Sequence, residues 1–531
     1  MAVYLLLASI VIFACVLLNK ISMKLGIPVL LAFILLGMFF GSDGVVKIPF
    51  ENYSFAERIC SVGLIFIMFY GGFGTNWRAA RPVAARAILL SSLGVVLTSA
   101  AVGVFCRYVL GTGLAESFLI GSVIGSTDAA SVFSILRSRR LNLRCGTASL
   151  LELESGSNDP FSYMLTAVFI SLINGTARGA GIAYMLFAQL VYGIAGGAVI
   201  ALAARLILKK IKFSQQGMNA VFMVGVAVLA YALPSAVGGN GYLSAYIVGI
   251  VLGNSDIADK KSLVNFFDGV NNLTQMLIFF LLGLLSAPSR LPNVMLPALA
   301  IALFLTFVAR PLAVMALLTP FGCKIKQQLV VAWAGLRGAA SIVFAIQALL
   351  GAKTENDIFH IVFCIVLFSI LLQGSLIPFV SRRLGMIDDS DDVMKTFSDY
   401  SEEAPVEFIQ FTVPRDHMWA GMAVRDIVLP PDTILVLLIR GQSLDVPNGS
   451  SVLGEGDTLI LSARSPGRIE GIRLSEIKVE GSSPLDGAAV ADFDGADGAL
   501  IIMIRRGEQV IIPNGKTMLC EGDTLVINHP S

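Results

Sequence analysis

The sequence predicts an all-α polytopic membrane domain with inverted repeats, followed by two small cytoplasmic α/β lobes. Three observations carry that prediction. Apolar residues fall in runs of roughly twenty, the length that crosses about 30 Å of hydrocarbon. Two of these runs are interrupted in corresponding places, by Gly125-Ser126-Thr127-Asp128-Ala129-Ala130-Ser131 and by Gly335-Leu336-Arg337-Gly338-Ala339-Ala340-Ser341. Beyond Arg382 the composition turns hydrophilic and the chain repeats itself.

Composition sets the class. The chain is 56% hydrophobic and only 14% charged, where an average soluble domain is about 25% charged. Mean hydropathy is +0.79. A net charge of +1 supplies no field for nucleic acid, and no basic patch is interleaved with aromatics. Cys15, Cys60, Cys106, Cys145, Cys323, Cys364 and Cys520 are odd in number and lack CxxC spacing. They read as free thiols rather than a disulfide framework or a zinc site. The first twenty residues have no basic n-region or clear cleavage site, so they read as a retained span rather than a signal peptide.

Thirteen spans can be drawn, at about 3–18, 25–41, 57–74, 83–106, 114–136, 147–173, 180–208, 217–236, 239–254, 268–287, 292–318, 327–350 and 356–380. The odd-numbered loops hold Lys20 and Lys24, Arg78 and Arg81, Arg137 to Arg144, Lys209 to Lys212, Lys260 and Lys261, and Lys324 and Lys326. The even-numbered loops hold little more than Lys47, Arg107, Arg178, Arg290 and Lys353. By the positive-inside rule the N-terminus lies outside and the C-terminus in the cytoplasm. Each interrupted span, the fifth and the twelfth, is the penultimate member of a six-span block. Paired interruptions point to an inverted-repeat transporter with its site at the membrane midplane. Small residues alone would only let helices pack closely, which does not account for Asp128 and Arg337 at the centres of the breaks.

The membrane domain is assigned residues 1–385 and an acidic linker 386–407, with Asp388, Asp389, Asp391, Asp392, Glu402 and Glu403. Lobes follow at 408–465 and 466–531. Leu444–Ser462 and Val510–Asn528 match at Pro447/Pro513, Asn448/Asn514, Gly449/Gly515, Glu455/Glu521 and Asp457/Asp523. At the same offset Gly421, Asp426, Arg440 and Gly441 meet Gly487, Asp492, Arg506 and Gly507. β-rich runs bounded by Asn-Gly and Gly-Asp turns complete each unit.

The chemistry concentrates in the sixth span. A carboxylate at the bilayer centre costs roughly 2.5–3.5 kcal/mol on insertion scales, yet Glu152, Glu154 and Asp159 all lie there, with Asp128 in the preceding break. Glu154 stacks with Asn158, and Ser155 with Asp159, one helical turn apart. Pro160 has no amide hydrogen, which deprives the Gly156 carbonyl of its helical donor. Carbonyl, hydroxyl and carboxylate oxygens suit a hard, weakly held cation, and desolvation raises a lone carboxylate's proton affinity. Asp159 can then hold a proton or a cation, and that competition is the mechanism of an exchanger. Arg337 is the counter-charge, and its expected partner is Glu154 in a structural pair that leaves Asp159 free. Glu152 either lines the way in from the cytoplasm or pairs with a loop arginine such as Arg144. Asp128 is a ligand or a helix cap within the break, with the supporting role preferred. His360 reads as a satisfied core histidine, and Arg310-Pro311 as a kink with a snorkelled or paired arginine.

Thr127-Asp128, Glu154-Ser155 with Asn158-Asp159, and Gly335-Leu336-Arg337-Gly338 resemble the signature of NhaP-type monovalent cation–proton antiporters. The resemblance covers roughly residues 1–385. It implies a thirteen-helix homodimer in a bacterial inner membrane, with Asp159 as the exchanging carboxylate and Ser155 and Thr127 as further cation ligands. Asn158, where a second acid would go with electrogenic exchange, implies electroneutral one-for-one exchange. Ala129 departs from the pattern, since many relatives carry proline there. The tail resembles two copies of the C-terminal lobe of potassium-conductance regulators (TrkA-C), without the Rossmann lobe that often precedes it. That combination resembles the potassium–proton subgroup, and implies a regulatory nucleotide, cyclic di-AMP among the possibilities. No enzyme activity, resident metal or cofactor is expected. Sodium–proton exchange on the same fold is the alternative, since ligand types do not separate the two ions. A ligand-gated potassium channel would need a TVGYG-like filter, and the sequence has none.

Overall fold

The computed structural model describes residues 2–25, 28–128, 131–132, 135–136, 141–210, 217–257, 260–388, 406–414, 417–430, 433–441, 443–464, 472–479, 485–493, 500–506, 509–511 and 513–530. Ala129, Ala130, Arg137, Arg139, Arg140, Lys212, Asp389, Asp391, Asp392, Glu402, Glu403 and Gly507 lie outside these residues. The chain divides into two compact units, Met1–Ser401 and Glu402–Ser531.

The first unit is helical. Its elements are α1 (Ala2–Leu25), α2 (Val29–Phe40), α3 (Tyr53–Gly74), α4 (Ala84–Leu110), α5 (Leu114–Val123), α6 (Thr147–Ile173), α7 (Ala180–Lys210), α8 (Met218–Ala236), α9 (Gly241–Gly253), α10 (Lys260–Leu285), α11 (Pro288–Phe321), α12 (Ile325–Trp333), α13 (Ala339–Gly351) and α14 (Ile358–Arg383). Among the described residues, α3, α4, α7, α8, α10, α11 and α14 are long and apolar enough to cross a membrane. Shorter apolar helices include α2, α5, α9 and α13. Although α6 has 27 residues, its polar sector keeps it out of the apolar set. Turns of π-helix occur twice in α4 and once each in α11 and α14, the one in α11 running from Leu305 to Ala309, directly before Arg310.

Helix starts follow from capping chemistry. Asn52 accepts from the Phe55 amide at 2.9 Å ahead of α3, and Asn240 from the Leu243 amide at 3.0 Å ahead of α9. Helix pairs then close through small residues. A methyl at Gly249 would lie 2.3 Å from the Phe69 carbonyl oxygen, and one at Gly37 2.2 Å from that of Phe280. Backbones this close are how helices bind each other where lipid removes the hydrophobic drive.

Two apolar cores result. One takes α2, α3, α9, α10 and the stretches Leu119–Ile124 and Ala339–Ile346. The other takes Val132, Leu136, Leu150–Leu153, Val330–Leu336 and Ile377. Both sequence interruptions sit where one core ends and the other begins. A two-stranded ladder closes the second core's edge, β1 (Asn142–Leu143) pairing antiparallel with β2 (Ile387–Asp388). It joins the segment before α6 to the segment after α14.

The second unit holds two four-stranded antiparallel sheets. Strands β3 (Val406–Thr412), β4 (Thr433–Arg440), β5 (Ser443–Asp445) and β6 (Thr458–Arg464) take the order β3-β6-β4-β5. Strands β7 (Ile472–Lys478), β8 (Leu500–Arg506), β9 (Gln509–Ile511) and β10 (Thr524–Pro530) take the order β7-β10-β8-β9. The repeat read from sequence reappears bond for bond. Arg440 donates to both carboxylate oxygens of Asp457 at 2.9 and 2.6 Å, and to the Val452 carbonyl at 3.0 Å. Arg506 does the same to Asp523 at 2.8 and 2.7 Å, and to the Met518 carbonyl at 2.8 Å. Among the described residues the helical content of each lobe is one 3-10 turn, Val424–Asp426 or Val490–Asp492.

The buried aspartates anchor these lobes. The Arg440 guanidinium holds Asp457 below the usual carboxylate range, as Arg506 does Asp523. A folded value below the unfolded one adds stability above the unfolded value, near pH 4, that is lost as pH falls through the folded value. Asp523→Ala strands the Cys520 amide as well, since it donates to Asp523 at 2.9 Å, and costs the lobe roughly 1–3 kcal/mol. Hydrogen exchange on the full chain should show faster exchange in β8 and β10 at pH 7, and a smaller difference from the parent at pH 3. Equal protection at pH 7 would remove the anchoring role.

Candidate functional site

The site is built where the two interrupted spans cross. Helix α5 ends at Val123, and residues 125–128 run on without helical structure. Helix α12 ends at Trp333, and α13 begins at Ala339. Backbone groups freed inside a membrane must find partners, and these find each other. The Asp128 amide donates to the Leu336 carbonyl at 2.8 Å. Arg337 Nη1 donates to the Ser126 carbonyl, and the Ser126 and Ser341 hydroxyls lie 3.3 Å apart. Gly338 is required by space, because a methyl there would fall 2.2 Å from Asp128 Oδ2. Asp128 itself accepts from the Ser131 amide at 3.2 Å and from its hydroxyl. That is the geometry of a cap on the helical turn that follows, the supporting role preferred from sequence.

Helix α6 lays its polar sector across this crossing. Its backbone runs through Pro160 as continuous helix, and Asn240 Nδ2 donates to the Pro160 carbonyl at 2.8 Å. Ser155 Oγ donates to the Thr127 carbonyl at 2.7 Å, and Asn158 Nδ2 to Thr127 Oγ1 at 2.6 Å. Ser155 and Asn158 are thus both held at Thr127. Asp159 is 7% exposed and faces Ser126 and Asp128. Its Oδ1, and Asn158 Oδ1 beside it, are buried with no hydrogen-bond partner among the described residues. Two such oxygens are a standing demand for a proton or a cation. Glu152 lies half-buried on the turn before Gly156.

One expected pairing is corrected. Glu154 is joined to Arg310, Nη2 to Oε1 at 2.5 Å, with side chains 3% and 1% exposed. Arg337 instead spends its guanidinium on the Ser126 carbonyl, and its backbone amide on Ser369 Oγ at 3.0 Å. Arg310 reaches Glu154 because the π-turn of α11 ends directly before it and Gly335 leaves room: a methyl at Gly335 would sit 2.9 Å from Arg310 Nε. Sequence reading placed Arg310 at a kink as snorkelled or paired, without naming its partner. Ser126, Ser341, Ser369 and Asn240 were missed as supporting residues. Ser126 could have been found from its place beside Thr127 in the break. His360 is satisfied on both sides, Nδ1 against Asp357 at 2.7 Å and Nε2 accepting from the Ala287 amide at 3.2 Å.

Charges gather at the crossing. Arg310 pairs with Glu154, Arg337 lies near both, and Asp159 lies near Asp128. A single proton or a single monovalent cation on Asp159 neutralises that carboxylate.

Comparison with known proteins gives concordant results. A family model described as "Sodium/hydrogen exchanger, transmembrane" matches residues 8–383, and one for the TrkA-C domain matches 408–469 and 474–527. The K(+)/H(+) antiporter NhaP of Alkalimonas amylolytica is 35% identical over 428 residues, covering 79% of this chain and 74% of that protein. The K(+)/H(+) antiporter NhaP2 of Shewanella sp. (strain ANA-3) is 31% identical over 457 residues, covering 84% and 78%. The structure of the sodium proton antiporter MjNhaP1 from Methanocaldococcus jannaschii at pH 8 superposes with a TM-score of 0.63 at 25% identity, over 72% of this chain and 99% of that one.

Removing one member of a buried ion pair strands the other, at about 3–5 kcal/mol, whereas replacing both is far milder. Arg310→Met should therefore lower the melting temperature of the detergent-solubilised protein, followed by size-exclusion chromatography after heating. Adding Glu154→Gln to Arg310→Met should recover most of the loss. A double variant as unstable as the single one would show that Arg310 is held by something other than Glu154.

Proposed function

The chain belongs to the sodium/hydrogen exchanger family, and from that premise we propose that this multi-pass cation–proton antiporter exchanges potassium for protons, one for one, at Asp159. The observation that carries the reading is the buried Asp159 Oδ1, which has no hydrogen-bond partner among the described residues and lies near a second acid, Asp128. A proton on Asp159 cancels its charge, and a potassium ion against it cancels the same charge. Both loaded forms can cross a low-dielectric barrier, while the empty form carries a charge that resists the crossing. Compulsory occupancy of this kind makes exchange the reaction and leak the exception.

Each ligand follows from its placement. Thr127 and Ser155 supply neutral oxygens beside Asp159, and Asn158 holds the Thr127 hydroxyl in place while adding no charge. Asn158 is neutral, so Asp159 offers a single charge to exchange, in keeping with one-for-one stoichiometry. Glu152 lines the cytoplasmic approach. Glu154 and Arg310 form the structural pair that fixes α6 against α11. We further propose a thirteen-helix homodimer in a bacterial inner membrane, with the N-terminus outside and the C-terminus in the cytoplasm. The tandem lobes regulate exchange by binding a small nucleotide. Sodium is the second reading for the ion, favoured by the superposition on an archaeal sodium proton antiporter.

Purified protein in liposomes, with an internal pH dye and the voltage clamped by an ionophore, tests this directly. Potassium should drive proton flux indifferent to voltage, and Asp159→Asn should reduce it to background while the protein still inserts. Sodium-only flux would replace potassium as the substrate, voltage-dependent flux would overturn the one-for-one count, and exchange retained by Asp159→Asn would remove the site. For the lobes, titration calorimetry with cyclic di-AMP should give heat with the full chain and none with a chain ending at Ser401. Silence from both would end the nucleotide reading.

A further inference from the structure

A carboxylate of membrane helix α3 has no place in the Asp159 cluster. Glu57 sits half-buried in the second turn of α3. Its Oε1 accepts from Ser61 Oγ at 2.8 Å, one turn along the same helix, and from Gln347 Nε2 at 3.2 Å. Gln347 also reaches Ser61 Oγ at 3.4 Å. The contact ties α3 to α13, the half-helix that grows out of the second break. An acid at such a place is costly, and the apolar neighbours of α3 do not require one.

Position explains it. Tyr163 lies one turn beyond Asp159 on the same face of α6. Its ring packs against Tyr242 at 5.1 Å and against Phe344 of α13 at 5.9 Å. Phe344 lies three residues before Gln347, on the same face of α13. Tyr242 is fully buried. Ser61 and Tyr231 are its polar neighbours. The other end of α3 lies on the far side of Asp159, where Gly72 meets the Tyr246 backbone and the Tyr246 ring meets Gly156. From Asp159 towards the face where α3 begins, the order is thus an aromatic plug with a buried hydroxyl inside it, then a carboxylate latched to an amide.

We propose that Glu57 is the carboxylate met by the transported cation between Asp159 and the face where α3 begins, and that its bond to Gln347 latches that half of the path shut behind Tyr163, Tyr242 and Phe344. The inference rests on the exchange reading above. When α13 moves away from α3 the latch opens, and Glu57 becomes a way-station that replaces part of the ion's lost hydration. In the orientation proposed above, this is the outer half-path.

The test is exchange by the full chain in liposomes of sorted orientation, with potassium presented to one face at a time. Glu57→Gln keeps an acceptor oxygen for Ser61 and Gln347 and removes only the charge. It should raise KM for potassium at the α3-start face by about tenfold, with KM at the opposite face and the maximal rate within about twofold of the parent. Glu57→Asp should recover most of that KM. Gln347→Leu, which leaves the carboxylate and removes the latch, should lower KM at the α3-start face. Unchanged KM in Glu57→Gln, or an equal rise at both faces, would overturn the role of Glu57. If Glu57→Gln fails to insert, an unchanged KM in Gln347→Leu overturns the proposal by itself. A parent protein without potassium–proton exchange would overturn the exchange reading and this role together, whereas an active parent with an indifferent Glu57→Gln overturns this role alone.

Discussion

Everything in the membrane unit depends on how two broken helices satisfy each other's backbone. A peptide group that leaves a helix inside hydrocarbon loses its partner, and lipid offers none. Here the amide of Asp128 finds the carbonyl of Leu336, and the carbonyl of Ser126 finds Arg337. Neither interruption could exist alone. Because they solve the problem jointly, the crossing has a fixed register, and Gly338 has room for nothing larger than hydrogen against Asp128. The polar groups of α6 are positioned by that crossing, Ser155 and Asn158 both being held by Thr127.

Charge adds a second constraint on the same place. Ionised side chains in a buried cluster would be ruinous unless paired or satisfied. Arg310 pairs directly with Glu154, and Arg337 lies near that pair while bonding to the Ser126 carbonyl. The two apolar cores meet at this level, so these charges sit in the layer where hydrophobic packing changes ownership. A plane of low apolar continuity is where two bodies can shift relative to each other at least cost.

Much of this was legible in the sequence. Spacing alone placed Ser155 over Asp159 and Glu154 over Asn158, because a helix fixes those contacts whatever surrounds it. The breaks were visible as runs of small and polar residues in otherwise apolar spans, and the lobes as a repeat whose Arg440–Asp457 bond recurs at Arg506–Asp523. What the sequence could not order were contacts between elements far apart in the chain. Arg310 and Arg337 are equally costly cations, and only the π-turn before Arg310 and the space above Gly335 decide which reaches Glu154. Glu57 escaped notice for the same reason, since its partner Gln347 lies on a helix nearly three hundred residues away. The loss expected at Pro160 was read locally, and locally the helix tolerates it.

The small ladder of β1 and β2 has a mechanical meaning. Asn142–Leu143 and Ile387–Asp388 are paired, and the Arg144 amide donates to the Met386 carbonyl at 2.9 Å. The polypeptide is therefore knotted back, in the tailor's sense, just before it runs on towards its tail. Tension on the chain beyond Asp388 is borne first by that seam, and so by the loop leading into α6, rather than by the end of α14. A seam of two residue pairs thus ties the loop leading into the helix that carries Asp159 to the segment that follows α14.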